Sequence, residues 1–242
     1  MKTVIISQAR MSSTRLPGKV LKEVLGKPLL EYHIERLQRA KKADAVIVAT
    51  TENETDEPIV ELCRRLNIAC FRGSEVDVLS RYYYAACEAQ ADIVVRVTSD
   101  CPLIDPEVVN EVIEAFITCG GCDYVSNTLV RTYPRGMDTE VFSFAALEQA
   151  FKKVLSQPER EHVTPYIYNH PELFKIKYVA YTKDQSRHRW TVDTEDDFRL
   201  IEKILLEIYP QKSNFTLEDV LTLFERHPDW YFINAHVKHK KF

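Results

Sequence analysis

The sequence predicts an α/β protein built on a Rossmann-like, mixed and mostly parallel sheet, doubly wound with helices on both faces and carrying a small inserted lobe. Three observations predict it: four short β-branched runs without polar alternation, amphipathic helical patterns between them, and a less regular second half that no Gly/Ser/Pro-rich linker separates from the first. Strands buried on both faces read as continuous apolar runs, and a strand–helix alternation repeated four times is how a parallel sheet is wound.

The strands of the first half are read at 3–7 (TVIIS), 45–50 (AVIVAT), 68–71 (IACF) and 92–98 (DIVVRVT). After the first, Pro28 opens a helix whose Leu29, Leu30, Ile34 and Leu37 recur at helical spacing. A second helix runs from Asp56 to Leu66, with Asp56 as cap, Pro58 in the first turn and Ile59, Leu62 and Leu66 on one face. Residues 77–90 and 106–118 supply two more. In the second half, 123–142 hold a strand, a Pro-Arg-Gly turn and another strand, followed by helices at 144–155 and 160–169. Extended segments at 174–181 and 188–192 precede helices at 195–208 and 216–226.

Composition narrows the function. A chain of 242 residues that is 45% hydrophobic and 28% charged is an ordinary globular protein, and its net charge of −4 lacks the cationic excess that a nucleic-acid or membrane-surface binder needs. Its longest apolar runs, such as Val46 to Ala49, are far below the roughly 20 residues of a membrane span, and MKTVIISQAR has no signal-peptide cleavage site. The sequence therefore predicts a cytoplasmic protein with small-molecule partners, no nucleic acid and no membrane. Six scattered cysteines form no disulfide framework and are read as free thiols. Cys119-Gly-Gly-Cys122 has the spacing of a metal or redox pair but no second pair to complete it. His236 and His239 lie in a basic end, HVKHKKF, expected to fray.

The loop after the first strand, Ser7 to Lys19, crowds Arg10, Arg15 and Lys19 together with Ser12, Ser13 and Thr14. In an open α/β sheet ligands bind outside the carboxyl ends of the strands, where this loop begins. Guanidinium groups bridge phosphate oxygens bidentately and lysine acts as a mobile point charge, so the loop suits a polyphosphate rather than a merely solvated surface. It contains neither G-x-x-x-x-G-K-[ST] nor G-x-G-x-x-G, which disfavours a Walker-type nucleotidase and a Rossmann dehydrogenase.

SQARMSSTRLPGK closely resembles the nucleotide loop of sugar cytidylyltransferases, the group that activates 3-deoxy-manno-octulosonate and acylneuraminate. The resemblance continues in GSEVDVLSRY, VVRVTSDCPLIDP, YPRGMDTEVFS, REHVTPYIYNHP and RWTVDTEDDF, spans nearly the whole chain, and is similar to the branch named for spore coat polysaccharide biosynthesis protein F. It implies a nucleotide-diphospho-sugar transferase fold: a single domain over 1–242, with a nucleotide-binding half at 1–122 and a sugar-binding and dimerisation half at 123–242. It also implies transfer of CMP from CTP to a sugar, with Mg2+, in a homodimer that makes precursors of a surface polysaccharide.

By that resemblance Arg10, Ser12, Arg15 and Lys19 hold phosphates, with Arg10, Lys19 and Asp100 as the catalytic set. Asp100 and Asp193 are the magnesium ligands, in keeping with that ion's preference for one or two carboxylates plus substrate phosphates. Gly73, Asp77 and Arg81 fall on the base and ribose side, with helix capping as the alternative for Asp77 and a surface cation for Arg81. Arg135, Asp138, Glu140, His162 and Arg189 fall on the sugar side, where Arg135 or Arg189 suits an anionic sugar. Asp193 has helix capping as its alternative, and His162 the part of an ordinary helix residue. Cys101-Pro102-Leu103 departs from the octulosonate enzymes, so the sugar stays open. The other readings are a glycosyltransferase of related fold, against which Asp100-Cys101-Pro102 in place of Asp-x-Asp counts, and a non-catalytic nucleotide-binding module.

Overall fold

A computed structural model describes residues 1–238; of the basic end, His239 and the three residues after it lie outside the described residues. β1 (Thr3–Gln8) sends Ile5 into one apolar cluster and Val4 and Ile6 into another, the alternation a strand buried on both faces requires. A 3₁₀ turn (Lys19–Leu21) and a small hairpin, β2 (Glu23–Val24) and β3 (Lys27–Pro28), lead into α1 (Leu29–Leu37). The alternation then runs β4 (Ala45–Thr51), α2 (Glu57–Arg65), β5 (Ala69–Gly73), α3 (Val78–Glu88), β6 (Ile93–Thr98) and α4 (Pro106–Thr118). The second half adds β7 (Tyr124–Ser126), β8 (Glu140–Ser143), α5 (Phe144–Lys153), α6 (Gln157–His162), α7 (Pro165–Tyr168), β9 (Ile176–Tyr178), α8 (Glu195–Ile208) and α9 (Leu217–Arg226). A 3₁₀ segment, Pro228–Ile233, follows and buries Trp230.

Among the described residues the main sheet has seven strands in the order β5-β4-β1-β6-β8-β7-β9. β1 pairs parallel with β4 on one side and β6 on the other, while β8 runs antiparallel to both β6 and β7. The chain winds from β1 to β4 and β5, then crosses back to β6. The winding therefore reverses between β1 and β6, and their carboxyl ends frame the crevice where such sheets bind ligands. The sheet is mixed and mostly parallel, as expected.

Several local expectations needed correction. Asp56 stands at the start of α2 but its carboxylate does not cap it; it accepts from Met11 N at 2.8 Å and Thr51 Oγ1 at 2.6 Å, tying down the loop after β1 instead. The helix read over 160–169 is broken into α6 and α7 by Val163, which takes φ +71°, a region a β-branched residue rarely enters. The segment 188–192 does not enter the sheet. It pairs with the 135 segment through Arg135 N to His188 O (3.0 Å) and Trp190 N to Arg135 O (2.7 Å). Gly136 allows this approach: at φ +106° a Cβ there would lie 2.8 Å from the Trp190 carbonyl. Cys119 and Cys122 are not free thiols but joined by a disulfide, because the positive φ of Gly120 and Gly121 folds the chain between them into a tight turn; Cys63, Cys70, Cys87 and Cys101 are free.

Candidate active site

Gln8 and Thr98 are register partners at the ends of β1 and β6, so the loop after β1 and the Ser99-Asp100-Cys101 turn leave the sheet at one rim. Asp100 is fixed there from two sides. Val192 N donates to its carbonyl at 2.8 Å, joining it to the segment that carries Asp193. On the other side His33, fully buried on α1, lies 2.9 Å from the Cys101 carbonyl through Nδ1 and 2.8 Å from Ser7 Oγ through Nε2. A carbonyl only accepts, so Nδ1 carries the proton, Ser7 donates to Nε2, and Ser99 Oγ, 2.7 Å away, donates to Ser7. Every polar group in this buried chain is satisfied in one orientation.

Burial lowers the His33 pKa to about 4, although the Cys101 carbonyl favours the charged form. The unfolded imidazole titrates near 6.5, so below that pH the unfolded chain takes up a proton the folded chain refuses. Stability therefore falls as pH drops from about 6.5 to about 4, by roughly 3 kcal/mol for this residue, and His188, also lowered to about 4 by burial, adds to the fall. Urea unfolding across that window checks it: His33→Asn, which keeps a donor toward Cys101 but does not titrate, is expected to lose less stability on acidification than wild type.

At the rim Lys19 Nζ donates to Asp100 Oδ2 at 2.7 Å and to Asp193 Oδ1 at 2.8 Å. The other Asp193 oxygen receives Arg15 Nη2 at 2.8 Å and Arg189 Nη2 at 2.7 Å. Arg189 also reaches Asp197, whose side chain is fully buried, at 2.8 Å. Three cations thus interlock with three carboxylates. Burial alone would raise the Asp100 carboxyl, but Lys19 outweighs it and holds the group well below the usual carboxylate range. Burial likewise pulls Lys19 down, and Asp100 and Asp193 together push it above its ordinary value. Asp193 caps no helix: Thr194 is the α8 cap, in a capping box with Asp197.

Beside this cluster a cavity of about 220 Å³ is lined by Arg15, Thr98, Asp100, Cys101, Arg135, Gly136, Asp138, Arg189, Thr191 and Asp193. Arg131 grips Asp138 bidentately at 2.6 and 2.9 Å. The Arg135 guanidinium makes no hydrogen bond or ion pair among the described residues, and burial, then Arg131, lowers its pKa. Burial and the Asp100 charge push the Cys101 thiol well above its ordinary value, so it lines the wall as a neutral group rather than a nucleophile.

The remaining candidates gather in two other places. Arg10 (3.5 Å) and Ser12 both turn to Glu75, which also accepts from Asn53 at 2.6 Å. Gly73 lies close by, where a Cβ would sit 3.3 Å from Arg81; Arg81 is almost wholly buried and donates to the Ser74 carbonyl at 2.9 Å. Asp77 caps α3 through Ser80 N at 2.9 Å and receives Arg160 at 2.7 and 2.9 Å, linking α3 to α6. Glu140 accepts from Arg96, from Tyr124 at 2.5 Å and from Thr164 at 2.6 Å, behind the sheet rim rather than in the cavity. Half-buried His162 stands near that group, its pKa lowered first by burial, at the strained Val163 turn.

Arg96, Asp197, Arg131, Glu75 and His33 join the site without having been among the sequence candidates. Arg96 had a legible signal, a cation inside the apolar run VVRVT, and Asp197 had another, its capping-box spacing from Thr194. Nothing local marks Glu75 or His33.

The geometry has counterparts among known proteins. A sequence profile described as cytidylyltransferase matches residues 4–223. Spore coat polysaccharide biosynthesis protein SpsF of Bacillus subtilis is 32% identical over 233 residues, 93% of this chain and 95% of its own. A 3-deoxy-manno-octulosonate cytidylyltransferase of Chlamydia trachomatis is 30% identical over 186 residues, covering 73% of this chain and 71% of its own. The solved structure of a cytidylyltransferase from Leptospira borgpetersenii superposes with a TM-score of 0.91 at 32% identity, covering all of both chains.

Proposed function

This chain belongs to the cytidylyltransferase family, and from that premise we propose that it is a divalent-cation-dependent enzyme which transfers CMP from CTP to an acidic sugar, releasing pyrophosphate. The observation that carries the reading is the Lys19 ammonium held between Asp100 and Asp193, against a cavity whose wall presents the unpartnered Arg135. In the reaction a sugar hydroxyl oxygen forms a bond to the α-phosphorus, the bond from that phosphorus to the bridging oxygen breaks, and pyrophosphate leaves while the hydroxyl proton passes to solvent. Charge grows on the phosphoryl oxygens, so fixed cations matter most. Arg15 and Lys19 meet it from the first loop, with Arg10 and Ser12, earlier in the same loop, on the triphosphate.

Among the described residues no three His, Cys, Asp or Glu side chains form a ready cage for a metal. Two convergent carboxylates do fit magnesium, which completes its shell with water and substrate phosphates. Asp100 and Asp193 would hold it, and when bound it neutralises phosphate charge. Gly73, Asp77 and Arg81 belong to the base and ribose side of this proposal, and Asp138, Glu140, His162 and Arg189 to the sugar side, with Arg135 taking the sugar's carboxylate. Service in surface-polysaccharide synthesis, as the SpsF name suggests, and a cytoplasmic homodimer joined through the 130–180 lobe are parts of the same proposal. No helix among the described residues is long and apolar enough to cross a membrane.

A charged hydrogen bond is worth about 1.5–3 kcal/mol, so Arg135→Ala is expected to raise KM for an acidic acceptor roughly 10- to 100-fold while leaving KM for CTP unchanged. Steady-state pyrophosphate release over a panel of acidic and neutral sugars tests this. An unchanged acceptor KM removes Arg135 from the sugar site, and a uniform preference for neutral sugars removes the acidic substrate class.

A further inference from the structure

We infer that Lys19 stands in, before nucleotide binds, for the cation the two aspartates are built to hold, so that CTP must draw it away before a divalent ion can enter. The inference rests on the proposed reading of Asp100 and Asp193 as metal ligands. The oxygens of the two acids that face one another, Asp100 Oδ2 and Asp193 Oδ1, both accept from the one ammonium, at 2.7 and 2.8 Å. The second oxygen of Asp193 is occupied by Arg15 and Arg189, and that of Asp100 is approached by the Cys101 thiol at 3.5 Å. A divalent ion arriving alone meets carboxylate oxygens already taken and three positive groups around them, whose repulsion it must overcome.

A triphosphate changes that balance. It brings about four negative charges to the loop that carries Arg15 and Lys19, and lysine, a point charge on a flexible four-carbon stem, can follow them. The base of that stem is anchored, since Lys22 N closes the 3₁₀ turn onto the Lys19 carbonyl at 3.2 Å and Gly18 N donates to Met11 O at 2.9 Å. The ammonium therefore moves without unfolding its turn and leaves two uncompensated carboxylates facing the phosphates, the ligand set a magnesium ion prefers. Lys19 thus opposes free metal and assists bound nucleotide, which gives an order of binding and keeps the empty enzyme from holding metal unproductively.

The test measures Mn2+ binding to nucleotide-free protein by electron paramagnetic resonance, for wild type, Lys19→Met, Lys19→Gln and Lys19→Arg, each checked for folding by circular dichroism. Lys19→Met and Lys19→Gln are expected to bind free Mn2+ at least tenfold more tightly than wild type and to gain more in Tm from it, although both lose activity. Lys19→Arg, which keeps a cation between the acids, is expected to bind it as weakly as wild type. If the two neutral variants bind no tighter than wild type, Lys19 is not a stand-in. If wild-type pyrophosphate release needs no divalent ion at all, the metal reading fails and this inference with it, so the two failures are told apart.

Discussion

Asp100→Asn is expected to slow pyrophosphate release about a thousandfold while leaving the fold intact, the scale seen when one preorganised electrostatic group is removed from a transition state. The substitution keeps the shape and removes the charge. The bonds that fix this turn use backbone groups, the Asp100 carbonyl to Val192 N and the Cys101 carbonyl to His33, and both survive it. Because Lys19 holds the wild-type carboxyl well below the usual range, the charge is present throughout the neutral pH region and no pH change there should mimic the loss. A coupled pyrophosphatase assay beside a thermal melt checks both halves. Near-normal turnover, or loss of the folded state, contradicts the assignment.

Asp197→Ala should be the most destabilising single change near the site. Its buried carboxylate accepts from Arg189 at 2.8 and 3.2 Å, from Asn234 at 2.8 Å, and from the Asp193 and Thr194 amides at 3.0 Å each. Removing one partner from such a buried pair costs about 3–5 kcal/mol, which for a chain of this size lowers Tm by roughly 10 °C or more. Burial pushes the Asp197 carboxyl up, but Arg189 outweighs it and the folded pKa lies below the ordinary value. Stability from this group is therefore complete above the unfolded pKa, near 4, and drains away as pH falls through the lower folded value. Wild type should show that acid limb and Asp197→Ala a shallower one, in urea titrations at stepped pH. Activity should fall too, since Arg189 and Asp193 are aligned through the same carboxylate.

The first half of the fold was legible because its central strands β1 and β6 are buried on both faces and its helices show apolar stripes, as in TVIIS and the helix after Pro28. The site residues nearest the rim were legible for a related reason. Arg15 and Lys19 lie in the loop that leaves β1 and Asp100 in the turn that leaves β6, and the topology opens both segments toward the ligand crevice. What stayed hidden depends on contacts between distant segments. The 188–192 stretch reads as extended, and the close approach permitted by Gly136 holds it against residue 135 rather than in the sheet. Val163 breaks a helix that its neighbours' propensities would continue, and Asp56 leaves its cap to hold a loop 45 positions away. Nothing in its own segment marks His33, whose partner carbonyl is 68 positions on.

The most direct test of the whole account follows the α-phosphorus. CTP labelled at that atom is incubated with an acidic sugar acceptor, in the presence of Mg2+ and again after chelation, using wild type and Asp100→Asn. Label should be recovered in a CMP-sugar with one pyrophosphate released per label transferred, abolished by chelation and nearly so by the substitution. Label transferred equally well by the chelated or the substituted enzyme would contradict it.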